Sequence, residues 1–152
     1  MGTLGDSFED KYKNEFAERQ IKVKSVIKAF VSDTNPPKEK RIIIIGIDNT
    51  EKYVGVILFN TAINWKAIRT IELAKLQYYL TKEDNPEILQ WDSYIDCSDL
   101  FEFTKEELVE SLIRNPENVL GEIKQEDFEE VIKLVKISPK ITTKKLKKYN
   151  LS

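Results

Sequence analysis

Apolar residues recur along this chain with changing spacing, and each spacing predicts an element. In residues 7 to 20, SFEDKYKNEFAERQ, Phe8, Tyr12 and Phe16 stand four apart behind Ser7, a candidate N-cap, which predicts a short amphipathic helix or an ordered arm. From Ile21 to Val31 the period falls to two. Ile21, Val23, Ile27, Ala29 and Val31 face one way and Lys22, Lys24 and Lys28 the other, as in a half-exposed strand. SDTNPPKEK reads as a surface loop. RIIIIGI, residues 41 to 47, is apolar on both faces and so predicts a strand central in its sheet. DNTEK then turns the chain and YVGVILFN returns as a partner strand. Gly46 and Gly55 mark bulges or bends, and three successive strands with short links make an antiparallel meander that can coil into a small barrel.

In the second half, Ile68, Leu73, Leu76, Gln77 and Leu80 predict a helix over residues 66 to 81, ended by EDNPE. ILQWDSYIDCSDLFEF reads as two short strands joined by a bend. TKEEL is a capping box with Thr104 as N-cap and Glu107 three residues on, and Pro116 closes the helix it starts. NVLGEI is a last short strand. Glu126 to Val135 is a further helix with Phe128, Val131, Ile132 and Val135 inward. The fold class is therefore α+β, a small antiparallel barrel with three or four flanking helices. Residues 1 to 20 form a helix or arm, 21 to 137 the barrel domain, and 138 to 152 a basic tail.

Composition narrows the function. With 152 residues, 41% hydrophobic and 33% charged, the chain suits one domain and has no run long enough for a membrane helix. The N-terminus lacks a basic stretch followed by an apolar core, so a cytoplasmic protein is expected. There is no histidine, which excludes Ser-His-Asp and Cys-His nucleophiles and histidine-bound zinc. The single Cys97 reads as a buried, inert thiol, and neither a metal nor a cofactor is expected. Acidic side chains dominate residues 99 to 130, whereas residues 131 to 152 carry lysines and no acid. That basic block either meets an acidic partner or neutralises the acidic helices before it.

The segment carrying Ser93, Tyr94, Asp96, Cys97, Ser98 and Leu100 is followed by Leu120, Gly121 and Ile123 and then by Glu126, Asp127 and Phe128. In this order, over about residues 21 to 135, the chain resembles the PemK/MazF-like toxins of type II toxin–antitoxin systems. The resemblance implies an SH3-like barrel and a metal-independent endoribonuclease acting on single-stranded RNA. It also implies a homodimer and a cognate antitoxin protein that covers the RNA face. By position, Arg41 stands where the family's Arg-Pro opens the second strand, although isoleucine follows it here. Thr61, or Asn60 beside it, stands where the family's Pro-x-Thr-Ser, with its catalytic hydroxyl, falls. Arg41 and Thr61 are thus the catalytic candidates, and Lys38, Lys40, Asn60 and Asn64 the substrate-binding ones.

Chemistry supports these residue types. Cleavage by the RNA's own 2′-hydroxyl needs a proton acceptor, a donor to the leaving 5′-oxygen and a cation for the phosphorane. Arginine supplies a rigid, permanently charged fork that matches phosphate oxygens, and Thr61 can hydrogen-bond the phosphate. The plainer expectations are an Arg41–Glu39 ion pair and turn chemistry at Asn60 and Thr61. Asp48 can act as a base only with a raised pKa, and by strand geometry it stands at the opposite end from Arg41. Tyr78, Tyr79, Trp91 and Tyr94 can stack on unpaired bases or serve a core or dimer contact. Glu106-Glu107 and Glu129-Glu130 point about 100° apart on their helices and are solvated faces, not dyads. The alternative function is a catalytically inactive barrel that binds a protein or nucleic acid.

Overall fold

The computed structural model describes residues 4–32, 37–62 and 71–151, with side chains from residue 11 onward. Helix α1 (Leu4–Gln20) leads into strands β1 (Ser25–Val31), β2 (Lys38–Ile47) and β3 (Tyr53–Asn60). A single helical turn, α2 (Ile71–Ala74), precedes β4 (Gln77–Leu80) and the long β5 (Ser93–Thr104). Helix α3 (Lys105–Arg114), a 3₁₀ turn at Pro116–Asn118 and β6 (Val119–Glu122) follow, then α4 (Gln125–Ile137) and α5 (Thr143–Lys148).

The six strands form one sheet in the order β4-β5-β3-β2-β1-β6, antiparallel throughout. Because β2 is apolar at every position from Ile42 to Ile45, it feeds two cores at once. Ile42 and Ile44 join Ile27, Val54 and Val56 under α1 and α3, where Ala17, Leu108 and Leu112 are buried. Ile43 and Ile45 join Val26, Ile57 and Ile95 on the opposite face, under Val131 and Val135 of α4 and Tyr149 and Leu151 beyond α5. The sheet curls toward this second core. The Tyr78 hydroxyl, at the β4 edge, donates to Asp127 of α4 at 2.7 Å, and Gly121, at the β6 edge, faces the Ile88 side chain. The two edges do not pair, so the result is a half-barrel wrapped around α4 and α5.

The hairpin between β2 and β3 is built as its sequence predicts. Asp48 Oδ1 accepts from the backbone N–H of Lys52 and Tyr53, both at 3.0 Å, and Thr50 donates to Asp48 Oδ2. The capping box is present in both halves, with Glu107 N donating to Thr104 and Thr104 N donating to Glu107. Cys97 is fully buried.

Several expectations are corrected. Helix α1 begins at Leu4, ahead of Ser7. The first strand starts at Ser25 and not Ile21, because Lys24 has φ 81 and breaks the extended run. Its carbonyl instead accepts from Ile123 N, and its N–H donates to Ile44. Residues 77–80 of the expected 66–81 helix are strand, while Ile68 lies outside the described residues. Leu76, Tyr78 and Leu80 alternate toward one core, and pairing of Tyr78 with Ile95 and Tyr79 with Tyr94 satisfies the backbone along β5. Ile88 and Leu89 are buried loop residues, and the expected pair of strands is one strand with a bulge. Val56 pairs with Phe101 but Leu58 with Asp96, and Asp96 and Asp99 accept the N–H groups of Ser98 and Leu100 inside that bulge.

Residues 138–151 continue the same core. Ser138 donates to the Ser98 carbonyl at 2.6 Å, and Lys140, Lys145 and Lys148 pair with Asp99 and Glu102 of β5. The lysine block therefore neutralises acids of β5 as well as one of the acidic helices, where Lys133 pairs with Glu130 of α4 at 3.0 Å. Among the described residues no helix is long and apolar enough to cross a membrane.

Candidate nucleic-acid interface

Antiparallel pairing carries the start of β2, the end of β3 and the start of β5 to one end of the sheet. Lys28 pairs with Arg41, Ile42 with Leu58 and Asn60 with Tyr94. At that end a cleft of about 420 Å³ is lined by Lys38, Lys40, Arg41, Asn60, Thr61 and Trp91, with Glu39 and Ser93 at its walls. Both catalytic candidates and three of the four binding candidates thus meet in one place. Asn64 lies outside the described residues.

Each side chain has a definite support. Strand alternation puts Arg41 on the face of Ile43 and Ile45, and its Nε donates to the Ile88 carbonyl at 3.0 Å. No ion pair holds Arg41 among the described residues, so the Glu39 pairing expected above is not made. One edge of the guanidinium is anchored and the rest of the fork remains for a ligand. Lys40 lies on the opposite face and donates its Nζ to Asn60 Oδ1. Its pKa is lowered, first by burial and then by the charge of Lys38, while Asp96 acts against both. Lys38 and Lys40 are strand residues, not loop residues, because β2 begins at Lys38 and pairs back to Val31.

Asp48 is no base. Thr50 and the Tyr53 N–H hold its carboxyl below the usual range, and it serves the hairpin at the far end of the strands. Tyr78 is committed to Asp127, and burial followed by that bond raises its pKa. Trp91 and Tyr79, by contrast, are 63% and 51% exposed.

Sequence reading left Ser93 and Glu39 out of the site and weighed Trp91 only as one of four aromatic residues able to stack on a base or to pack. Glu39 and Trp91 had a signal, the first flanked by the basic cluster and the second just ahead of a strand. Ser93 had none, since only the pairing of β5 with β3 brings it here. Among the described residues no group of three or more cysteine, aspartate and glutamate side chains gathers to hold a metal. A larger hollow of about 550 Å³ between α1, α3 and the hairpin is lined by Glu18, Glu51, Glu106 and Glu110 with Lys52 and Lys105, and brings together none of the catalytic or substrate-binding candidates.

The sequence matches no protein-family model, and no curated protein matches it either.

Proposed function

We propose that this protein is a toxin-like endoribonuclease of the PemK/MazF kind, an SH3-like barrel that cuts single-stranded RNA without a metal. One observation carries the reading: Arg41, Thr61, Lys38, Lys40 and Asn60, distant in sequence, line one cleft. Arg41 stabilises the charge that grows on the phosphorane, its fork held by Ile88. Thr61 hydrogen-bonds the phosphate. Lys40, whose proton burial makes easier to release, serves the leaving oxygen. Glu39 is the carboxylate of the cleft lining and takes the place of the base. A homodimer and a protein antitoxin belong to the same reading.

The test is incubation of the purified chain with end-labelled, mixed-sequence single-stranded RNA in excess EDTA, beside Arg41→Ala. Discrete cleavage by the wild type alone supports the assignment. Binding without cleavage by the wild type replaces it with a nucleic-acid-binding module.

A further inference from the structure

Of the two aromatic residues that line the cleft, Phe59 is core and Trp91 is not. Trp91 lines the cleft while keeping 63% of its surface exposed, and its indole has no ring or hydrogen-bond partner among the described residues. An indole of this size left in water forfeits apolar burial unless a ligand covers it. Its backbone is nevertheless fixed. Ser93 Oγ donates to the Trp91 carbonyl at 2.8 Å, and the adjacent Asp92 accepts from Lys82 N at 2.8 Å and from the Tyr79 hydroxyl at 3.1 Å. The Tyr79 and Tyr94 rings lie 5.2 Å apart beside it, with Asn60 paired to Tyr94. The Asn60 Oδ1 accepts from Lys40 Nζ, which ties the end of β3 to β2 at this cleft.

We propose that Trp91 is the floor of a nucleobase subsite, on which one unpaired base stacks while Arg41, Lys38 and Lys40 hold the adjoining phosphate. This rests on the RNA reading above and deepens it. A flat aromatic surface beside cations fits a nucleotide unit better than it fits an isolated anion, which needs no ring, or an apolar peptide, which needs no cations. Every base has a π-face, so the subsite accepts any base and leaves sequence choice to other contacts.

The probe is a short 2′-O-methyl oligouridylate, which has no free 2′-hydroxyl to attack, compared with its abasic counterpart of equal length. Affinities are measured for the wild type, Trp91→Ala, Trp91→Phe and Arg41→Ala, with circular dichroism to show that each is folded. The wild type should prefer the base-bearing strand by on the order of tenfold or more. Trp91→Ala should abolish that preference yet keep the salt dependence, and Trp91→Phe should restore most of it. Arg41→Ala should weaken both strands alike and flatten the salt dependence. Equal wild-type affinity for the two strands, or a preference that survives Trp91→Ala, overturns the subsite and leaves phosphate binding standing. Failure of the wild type to bind either strand overturns the RNA reading and the subsite together.

Discussion

Tyr149 lies directly on Gly46: a Cβ built on that glycine would stand 2.6 Å from the Tyr149 Cβ and 2.7 Å from its carbonyl oxygen. The register partner of Gly46, Gly55, faces the same tyrosine, but its Cβ would meet only ring carbons at 3.1 to 3.2 Å. Two glycines paired across β2 and β3 thus make the hollow that receives the C-terminal segment.

A double-mutant cycle separates the two contacts. Gly55→Ala should cost about 1 kcal/mol in the wild type and become nearly neutral in a Tyr149→Ala background, because the ring it strikes is gone. Gly46→Ala should cost about 1–3 kcal/mol in both backgrounds, because backbone and Cβ remain to be struck. Chemical denaturation of the three single and two double variants and the wild type reads this directly. Additive losses for Gly55 and Tyr149 would contradict the packing.

The same tyrosine sets a pH dependence. Glu102 accepts from Lys148 Nζ at 2.7 Å and from the Tyr149 hydroxyl at 2.6 Å, and these bonds, that from Lys148 foremost, hold its carboxyl below the usual range. A lowered folded pKa contributes stability that is complete above the ordinary glutamate value and lost as pH falls through the folded one. Thermal melts of Glu102→Gln should therefore decline less steeply in acid than those of the wild type. Parallel acid profiles would remove Glu102 from the account.

In alkali the sign reverses. Burial and then hydrogen bonding to carboxylates raise the pKa of both Tyr149 and Tyr78. Their contributions are complete below the ordinary tyrosine value and vanish as pH rises through the raised ones. Tyr78→Phe should lower stability at neutral pH by about 1 kcal/mol, through loss of the bond to Asp127, and make the alkaline decline shallower. An unchanged alkaline slope would count against it.

How much of this was legible in the sequence depends on which interactions decide each element. The uninterrupted Ile42–Ile45 run announced a strand covered on both sides, and Thr104 with Glu107 announced a helix start, because those signals are local. Residues 77–80 were misread because Leu76 and Leu80 satisfy helical and strand spacing alike, and the decision lay with β5, far along the chain. In the site, Arg41, Lys38 and Lys40 were visible as a charge cluster and Thr61 through resemblance. Trp91 drew notice for its ring chemistry, but its place beside them follows from the pairing of β3 with β5.

Arg41→Lys tests orientation against charge. Lysine keeps the cation but has no Nε to donate to Ile88 and no fork to present. If the proposed ribonuclease reading holds, RNA cleavage should fall on the order of 10²-fold, as expected when a preorganised charge stabiliser is lost. A rate within tenfold of the wild type would show that charge alone suffices.

Cys97 gives a reporter of global opening. Burial, and then the negative charge of Asp96, push its thiol well above the usual cysteine range. A thiol-specific chromogenic reagent should react with the native protein only at the rate of unfolding, and rapidly once denaturant is added. Fast native labelling would mean that the inner core opens locally.

The strands left at the two margins of the sheet, β4 and β6, are four residues each. Each offers so few free backbone groups that another chain gains little by adding a strand there. A neighbour that approaches either margin of the described sheet therefore has mainly side chains to read, and these two edges make a poor template for fibrous growth.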